Sequence, residues 1–372
     1  MKCICWLMIV LAGFFTEVSA QEKGIRFEQK KEWKSVVKKA KKAKKLIFVD
    51  CYTKTCPPCR AIALNVFPRE EVGDYFNAHF INVKYDTQEE ADGKYLAKTY
   101  GIRAEPTLFF IDPETQEVVH QVVRCLNPEK LIEHGKLAHD PENNLSGLIR
   151  RYNSGERTPD LLKRYMEALD NIMWWQQMET VAIEYLVASP EIPIREKWDV
   201  LHYRISDLLS VPLREMVSDI DRYYKEIGKE EVDAKLENSI TRTVTMLKSD
   251  CPDKESYQKR YTELVHYLQS MDHACVPGAL ALLYMGKCAD EKDYAGVLNT
   301  LCEALKYNVF QRQKEKRFIQ EAVRALSYCP DKIILQKTID CLDTRCEQVK
   351  DEVLKDTLMS CKDSLLEYSK EN

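Results

Sequence analysis

The pattern of hydrophobic and polar positions changes near residue 140. Before it, short runs of β-favouring apolar residues alternate with stretches in which apolar residues recur every three or four positions. Beyond it, the strand-like runs disappear and amphipathic helical patterns continue along the chain. The sequence therefore predicts an α/β domain over residues 21–139, followed by an all-α helical array over residues 140–372.

The first part contains enough elements for one layered domain. Their order predicts a mixed central sheet with helices on both faces. Strands are predicted at 46–49, 80–86, 108–111 and 117–123, with a short edge strand at 25–27; helices are predicted over about 28–43, 60–66, 70–77, 89–100 and 128–137.

Within the helical part, residues 279–305 resemble a degenerate tetratricopeptide-type hairpin that turns at 290–293. A strict repeat is not evident elsewhere, which indicates an irregular solenoid. Such arrays commonly bind other proteins. A scaffold or dimerisation unit is the alternative interpretation.

Residues 1–20 have the pattern of a secretory signal peptide. Lys2 gives a positive start, an apolar stretch follows, and Val18-Ser19-Ala20 is a small-residue cleavage site. A retained membrane anchor is the alternative, but the apolar run is short for a span. We expect an exported protein with no membrane span after removal of the signal.

Composition narrows the range of partners. The chain has 55 basic and 59 acidic residues and a formal charge of −4, so nothing indicates a nucleic-acid partner. Most of its 14 cysteines fall at apolar helix positions, where cysteine serves as a small hydrophobe. Disulfides between neighbouring helices are compatible with export, but their pairing cannot be read from the sequence. No cluster at metal-ligand spacing stands out, so no metal is expected.

The strongest chemical signal is Cys56-Pro57-Pro58-Cys59, which follows a predicted strand and begins a helix. Unpaired N–H groups and the helix dipole at such a position favour a thiolate at Cys56. Cys59, one turn further, could close a disulfide with it. Half of a zinc knuckle has the same pattern, but zinc would need a second ligand pair nearby. The motif therefore favours redox chemistry.

Two further features accompany the motif. Asp50 lies six residues before Cys56, and residues 101–107 read Gly-Ile-Arg-Ala-Glu-Pro-Thr. With these features the sequence resembles the thioredoxin superfamily over about residues 25–138. Residues 48–52 and 65–72 are most similar to the periplasmic C-terminal domain of the membrane thiol:disulfide interchange reductase. The resemblance implies a thioredoxin-like fold and a bacterial periplasmic location.

The resemblance also implies catalytic roles. Cys56 would attack a substrate disulfide and Cys59 would resolve the mixed disulfide. Asp50, buried and with a raised pKa, would take the Cys59 proton through a water molecule. Pro106 would be cis, border the disulfide and exclude metal from it. The backbone of Glu105 would then pair with an extended substrate segment.

Several expected substrate-contacting positions depart from the family pattern. Thr55 replaces a tryptophan, Glu105 an apolar residue and Arg124 a glycine, while Asn82 replaces a lysine near the buried acid. We hypothesise that Glu105 and Arg124 form a charged rim that narrows the range of partners. The expected substrate-binding residues are Tyr52, Thr55, Pro57, Pro58, Glu105, Thr107 and Arg124.

The sequence thus predicts an exported thiol:disulfide oxidoreductase that acts on protein disulfides. Pro57 removes one N–H donor from the thiolate, which favours the reducing direction. No cofactor is expected because the sulfurs carry both electrons, but an upstream thiol/disulfide partner must reset the pair. The alternative is a helical partner-binding protein or holdase in which the redox site is secondary.

Overall fold

The computed structural model describes residues 23–29, 32–310 and 312–371. The predicted signal peptide, residues 1–20, lies outside the described residues. The chain forms two compact units that divide between Val181 and Ala182.

A four-stranded mixed sheet forms the centre of the first unit. Its strands are β1 (Leu46–Tyr52), β2 (Phe80–Asp86), β3 (Thr107–Ile111) and β4 (Val118–Val123), in the order β2-β1-β3-β4. β1 pairs with β2 in parallel and with β3 antiparallel, and β3 pairs with β4 antiparallel. The predicted mixed sheet is confirmed.

The predicted edge strand at 25–27 is wrong. Those residues form no strand, although they do lie against the domain: the Ile25 N–H donates a hydrogen bond of 2.8 Å to the Phe67 carbonyl. Phe27 also packs edge-on against the Phe67 ring. The apolar pattern therefore reflects the partial burial of Ile25 and Phe27 and not a strand.

Five helices accompany the strands, each within a few residues of its predicted position. β1 alternates its side chains between two apolar layers, so helices cover both faces of the sheet. Phe48 packs with Phe76 and Phe110 on one face, whereas Val49 packs with Trp33 and others on the opposite face. The helices are α1 (Trp33–Ala43), α2 (Pro57–Asn65), α3 (Glu70–His79), α4 (Ala91–Tyr100) and α5 (Pro128–Ala138).

Two more helices pack against β4. They are α6 (Leu145–Asn153) and α7 (Pro159–Asn171). The Leu145 N–H at the start of α6 donates to His120 Nδ1 on β4 at 3.2 Å, and His120 Nε2 lies 2.9 Å from His134 Nδ1 on α5. Through these contacts the first compact unit extends past residue 139, where the α/β domain is predicted to end.

The second unit is helical throughout its described residues, which fits the predicted array. α14 (Val276–Asp290) and α15 (Tyr294–Lys306) form the predicted hairpin, and the three residues between them include Lys292 at a φ of 58°. The other helices are α8 (Trp175–Ala188), which contains the division, α9 (Ile194–Arg204), α10 (Val211–Ser218), α11 (Ile220–Glu226), α12 (Lys229–Met246), α13 (Lys254–Gln269), α16 (Arg312–Leu326), α17 (Lys332–Gln348) and α18 (Glu352–Glu371). Across the described ranges, no helix combines the length and apolar character needed to cross a bilayer.

Candidate redox site

Cys56 is the N-cap residue of α2. Its backbone is extended, with φ −80° and ψ 113°, and its sulfur accepts a hydrogen bond of 3.1 Å from the Cys59 N–H. Pro57 and Pro58 occupy the first two helical positions, where a missing N–H does not break the helix. The Cys59 amide is therefore the first donor of α2 that can reach the Cys56 sulfur.

The two cysteines are joined by a disulfide, with their Cα atoms 5.3 Å apart. Cys59 is buried at 4% exposure, whereas Cys56 is partly exposed. An incoming sulfur can therefore reach Cys56 more easily than Cys59, which agrees with the expected order of attack and resolution.

The loop before β3 lies across from the disulfide. The Glu105–Pro106 peptide bond is cis, and the Glu105 carbonyl oxygen lies 3.6 Å from the Cys56 sulfur. The Pro106 carbonyl accepts a hydrogen bond of 3.1 Å from the Arg124 N–H. Thr107 is buried and its hydroxyl donates to the Ala104 carbonyl at 2.6 Å. Thr107 thus holds the loop, and its side chain is not presented to a substrate.

Asp50 lies on β1, 3% exposed, and its Oδ1 has no hydrogen-bond partner within the described part of the chain. Burial raises the pKa of this carboxyl to about 7, and the positive charge of Lys84 opposes the shift. Such a group can both hold and release a proton near neutral pH.

Lys84 is a functional candidate that the sequence analysis missed. It lies opposite Asp50 in the β1–β2 register. Asn82, at the position where the family has a lysine, donates instead to Asn77 Oδ1 at 3.2 Å and to the Phe76 carbonyl at 3.4 Å. The positive charge that the family has at the position of Asn82 is therefore supplied here by Lys84. The alternation along β2 indicates that residues 82 and 84 share one face of the sheet. The sequence does not give the register with β1, which is what places Lys84 opposite Asp50.

The expected substrate-contacting side chains differ in their surroundings. Thr55 and Pro57 are exposed, and Tyr52 and Pro58 are partly exposed. The Glu105 carboxylate accepts a hydrogen bond of 3.0 Å from the Thr87 hydroxyl. Arg124 is exposed and has a φ of 56°, a left-handed conformation that suits the glycine usual there. Arg124 and Glu105 lie on neighbouring segments because the Arg124 N–H donates a hydrogen bond to the Pro106 carbonyl.

Cys51 and Cys125 are buried thiols near the site. Burial raises the pKa of Cys51 well above its usual value and that of Cys125 to about 11. Both are therefore poor nucleophiles and act as packing residues. Among the described residues, no group of three or more histidine, cysteine or acidic side chains is arranged to hold a metal ion.

Comparison with known proteins agrees with this geometry. Residues 33–137 match the family model of a thioredoxin-like domain. Thioredoxin H4 of Arabidopsis thaliana is 33% identical over 105 residues, which cover 27% of this chain and 82% of that protein. The chain belongs to the thioredoxin family. Residues 33–137 are its thioredoxin-like domain.

Two other similar proteins match about the same share of the chain. Thioredoxin-2 of Pyricularia oryzae is 42% identical over 96 residues, 25% of this chain and 49% of that protein. The solution structure of a candidate disulphide-isomerase from Bacteroides thetaiotaomicron is 40% identical, with a TM-score of 0.29, and the match covers 32% of this chain and 96% of that one.

The family and the cysteine pair together establish the class of chemistry. The thioredoxin-like domain is a thiol–disulfide oxidoreductase, in which Cys56 and Cys59 alternate between dithiol and disulfide. Its natural reactants are disulfides of proteins.

Proposed function

We propose that this protein is an exported enzyme that reduces disulfides in protein substrates, and that an upstream thiol/disulfide partner returns electrons to it. The observation that best supports this function is the place of the Cys56 sulfur. Cys56 is partly exposed at the start of α2, and its sulfur lies 3.6 Å from the Glu105 carbonyl oxygen. An extended substrate segment that pairs with the Glu105 backbone would bring its disulfide to Cys56.

The proposed reaction starts from the dithiol form. The Cys56 thiolate attacks one substrate sulfur, and the other substrate sulfur leaves as a thiolate. Cys59 loses its proton to Asp50 and attacks the Cys56 sulfur. The substrate is released with two reduced sulfurs, and the enzyme holds the Cys56–Cys59 disulfide.

The two prolines support the reducing direction. In most helices an N-cap side chain accepts from the second or third helical N–H. Here Pro58 removes the second, which leaves the Cys59 N–H as the donor to Cys56. A thiolate with fewer donors is less stabilised, so the disulfide form gains relative weight and the dithiol becomes a better reductant.

Substrate selection is proposed to involve the exposed surface around Cys56. Thr55 and Pro57 offer small neutral contacts, and Tyr52 and Pro58 offer partly exposed apolar area. Glu105 and Arg124 would add the charged rim hypothesised above. Thr107 would contribute indirectly by fixing the loop that carries Glu105.

A redox titration tests the direction. The full mature chain is equilibrated in graded thiol buffers, and the free thiols of Cys56 and Cys59 are trapped and counted. A reduction potential near that of thioredoxin, about −270 mV, is expected for a reductant. A value near about −120 mV would overturn the direction. Absence of a reversible disulfide at this pair would overturn the enzymatic function.

The competing function places the activity in the helical array, as a partner-binding protein or holdase. The full chain carrying Cys56→Ser and Cys59→Ser separates the two proposals. If disulfide reduction disappears and the chain no longer affects its substrates, the redox function stands. If the double variant suppresses aggregation of unfolded protein as well as the parent does, the binding function is favoured.

Export is part of the proposal and rests on residues 1–20, with a periplasmic location implied by the sequence resemblance. N-terminal sequencing of the protein recovered from a fractionated bacterial host tests it. A mature chain that begins at Gln21 and is found in the periplasmic fraction is expected. An intact N-terminus in the cytosolic fraction would contradict it.

A further inference from the structure

The second unit contains a cavity of about 360 Å³, lined by residues of α12, α14 and α16. Its inner wall is apolar and buried, with Ile240 1% exposed, Ala279 6% and Phe318 0%. Small-molecule sites in proteins have volumes of about 300 to 1,000 Å³ and mostly apolar walls. The cavity therefore has the size and the lining of a site for a small apolar group.

The entrance to this cavity is electrically balanced. Among the described residues that line it, two basic and two acidic side chains are each at least one third exposed, and they form pairs. Lys314 forms an ion pair with Glu237. Arg317 Nε donates a hydrogen bond of 2.9 Å to Glu321 Oε1. Because these charges cancel, the entrance favours an uncharged ligand.

A cysteine and a histidine just before α14 also line the cavity. The Cys275 sulfur lies 2.9 Å from His273 Nδ1, and the Cys275 N–H donates to the same nitrogen at 3.4 Å. A nitrogen that accepts a hydrogen bond has a free lone pair, so the ring N–H lies at Nε2 and Nδ1 can take the thiol proton. The two side chains thus form a nucleophile with its base within hydrogen-bond distance.

Asp233 on α12 lies on the other side of the imidazole. Its Oδ1 is 3.8 Å from His273 Nε2, and the His273 side chain is only 13% exposed. Hydrogen bonds of 2.6 Å from the Tyr224 hydroxyl and 2.8 Å from Lys229 Nζ hold the carboxylate in place. At 3.8 Å Asp233 makes no hydrogen bond to Nε2, but its negative charge stabilises the imidazolium that forms when His273 takes a proton. Asp233 is therefore a positioning residue that acts through His273.

The Cys275 thiol needs this base. Burial raises the pKa of Cys275 to about 11, so the thiol is protonated at rest and its sulfur becomes a strong nucleophile only as His273 removes the proton. Cys288, also on α14, interacts with Asp293 and so has an acidic neighbour where Cys275 has a base. The structure thus distinguishes Cys275 from another cysteine of the same helix.

We propose that this cavity is an acyl-transfer site, in which Cys275 takes the acyl group of an uncharged ester with an apolar chain. The Cys275 sulfur attacks the carbonyl carbon of the ester while the thiol proton passes to His273. The bond from that carbon to the alcohol oxygen breaks, and His273 gives the proton to the departing alcohol. Cys275 is left as a thioester whose acyl chain lies in the cavity. Water then attacks the thioester, which releases the carboxylic acid and restores the thiol.

The octanoyl and acetyl esters of p-nitrophenol test this proposal. The full chain with Cys56→Ser and Cys59→Ser is used, so that the outcome is independent of the function proposed for those cysteines. With the octanoyl ester we expect a burst of about one p-nitrophenolate per chain. Peptide mapping by mass spectrometry should place an octanoyl group on Cys275, and neutral hydroxylamine should remove it. The acetyl ester lacks the apolar chain and should acylate Cys275 more slowly, by about tenfold or more.

Single variants in that background test each part of the site. Cys275→Ala should abolish the burst, whereas Cys288→Ala is the matched control and should retain it. His273→Gln should slow acylation by about 100-fold or more. Thr241→Trp fills the cavity from a half-buried position on α12 and should slow the octanoyl ester more than the acetyl ester. Asp233→Asn should lower kcat and leave KM for the octanoyl ester unchanged.

Three results would each overturn the proposal. They are an octanoyl group mapped to a different residue, equal acylation rates with the two esters, and a full burst in Cys275→Ala. The mapping and the comparison of esters use the chain with Cys275 intact, so they decide the question even where a variant fails to fold.

Discussion

Asp50 on β1 lies directly opposite Lys84 on β2 in the parallel pairing of the two strands. Burial raises the pKa of Asp50 to about 7, and the charge of Lys84 keeps it from rising further. The two residues together set the pH at which the carboxyl can accept the Cys59 proton. The lysine is at a different position from the one expected in the family, but it acts on the same group.

Removing the charge at position 84 should raise the pKa of Asp50. Lys84→Met retains a long side chain, so the main change is electrostatic. We expect the pH profile of disulfide reduction to move to higher pH, measured as initial rates from pH 5 to 9. Lys94→Met, on α4, is the control and should leave the profile unchanged. An unshifted Lys84→Met profile would show that the lysine does not tune the acid.

Asp50→Asn should separate stability from catalysis. The folded-state pKa of about 7 lies above the unfolded value near 3.9, so the folded protein binds the extra proton and loses stability as the pH rises between these values. At pH 8 the variant should therefore be more stable, by about 4 kcal/mol, and near pH 4 its stability should be close to that of the parent. Its resolution step should be slower. Urea unfolding at the two pH values and stopped-flow reduction measure the two effects, and equal stability at pH 8 would contradict the first.

Restoring a donor at the start of α2 should make the enzyme more oxidising. Pro58→Ala adds an N–H at the second helical position, where it can reach the Cys56 sulfur. One hydrogen bond to a thiolate corresponds to a rise in reduction potential of about 30 mV. Pro57→Ala adds its N–H at the first position and should shift the potential less. Equal potentials in the parent and in Pro58→Ala would show that the missing donor does not favour the reducing direction.

Arg124→Gly should affect stability and selectivity in different ways. Glycine adopts the φ of 56° found at Arg124 without steric cost, so the variant should gain up to about 1 kcal/mol. Loss of the charge should change the relative rates on acidic and basic protein disulfides. Glu105→Gln should change them in the opposite sense. Relative rates that stay the same in both variants would contradict the hypothesis that Glu105 and Arg124 select substrates by charge.

The buried pair His120 and His134 should make the thioredoxin-like domain sensitive to acid. Burial lowers the pKa of both imidazoles, and His120 Nδ1 must stay unprotonated to accept the Leu145 N–H. The folded state binds fewer protons than the unfolded state, so stability falls as the pH drops below about 6.5, by up to about 1.4 kcal/mol per pH unit for each histidine.

Hydrogen exchange at the Leu145 amide gives the local readout for that pair. Its protection should fall from pH 6.5 to pH 5 in the parent, and His134→Gln should flatten the dependence. His266→Gln, at an exposed position of α13, should leave it as steep as in the parent. Constant protection across this range would contradict the prediction.

The sequence predicted the sheet and its helices because the signals there are local. The alternation at 80–86 and the glycine at 101 mark where β2 and α4 end. The 25–27 segment was misassigned because apolar alternation does not reveal whether a buried chain pairs with a strand or with a loop. Lys84 could not be chosen without the register of β1 and β2.

The packing of α6 on β4 bears on where the thioredoxin-like domain can be cut. The family match stops at residue 137, but the His120 side chain of β4, one of the two edge strands, accepts a hydrogen bond from the first amide of α6. A fragment that ended with the family match would lose the packing of α6 and α7 on β4 and leave His120 without the Leu145 donor. The smallest autonomous redox fragment should therefore keep both α6 and α7.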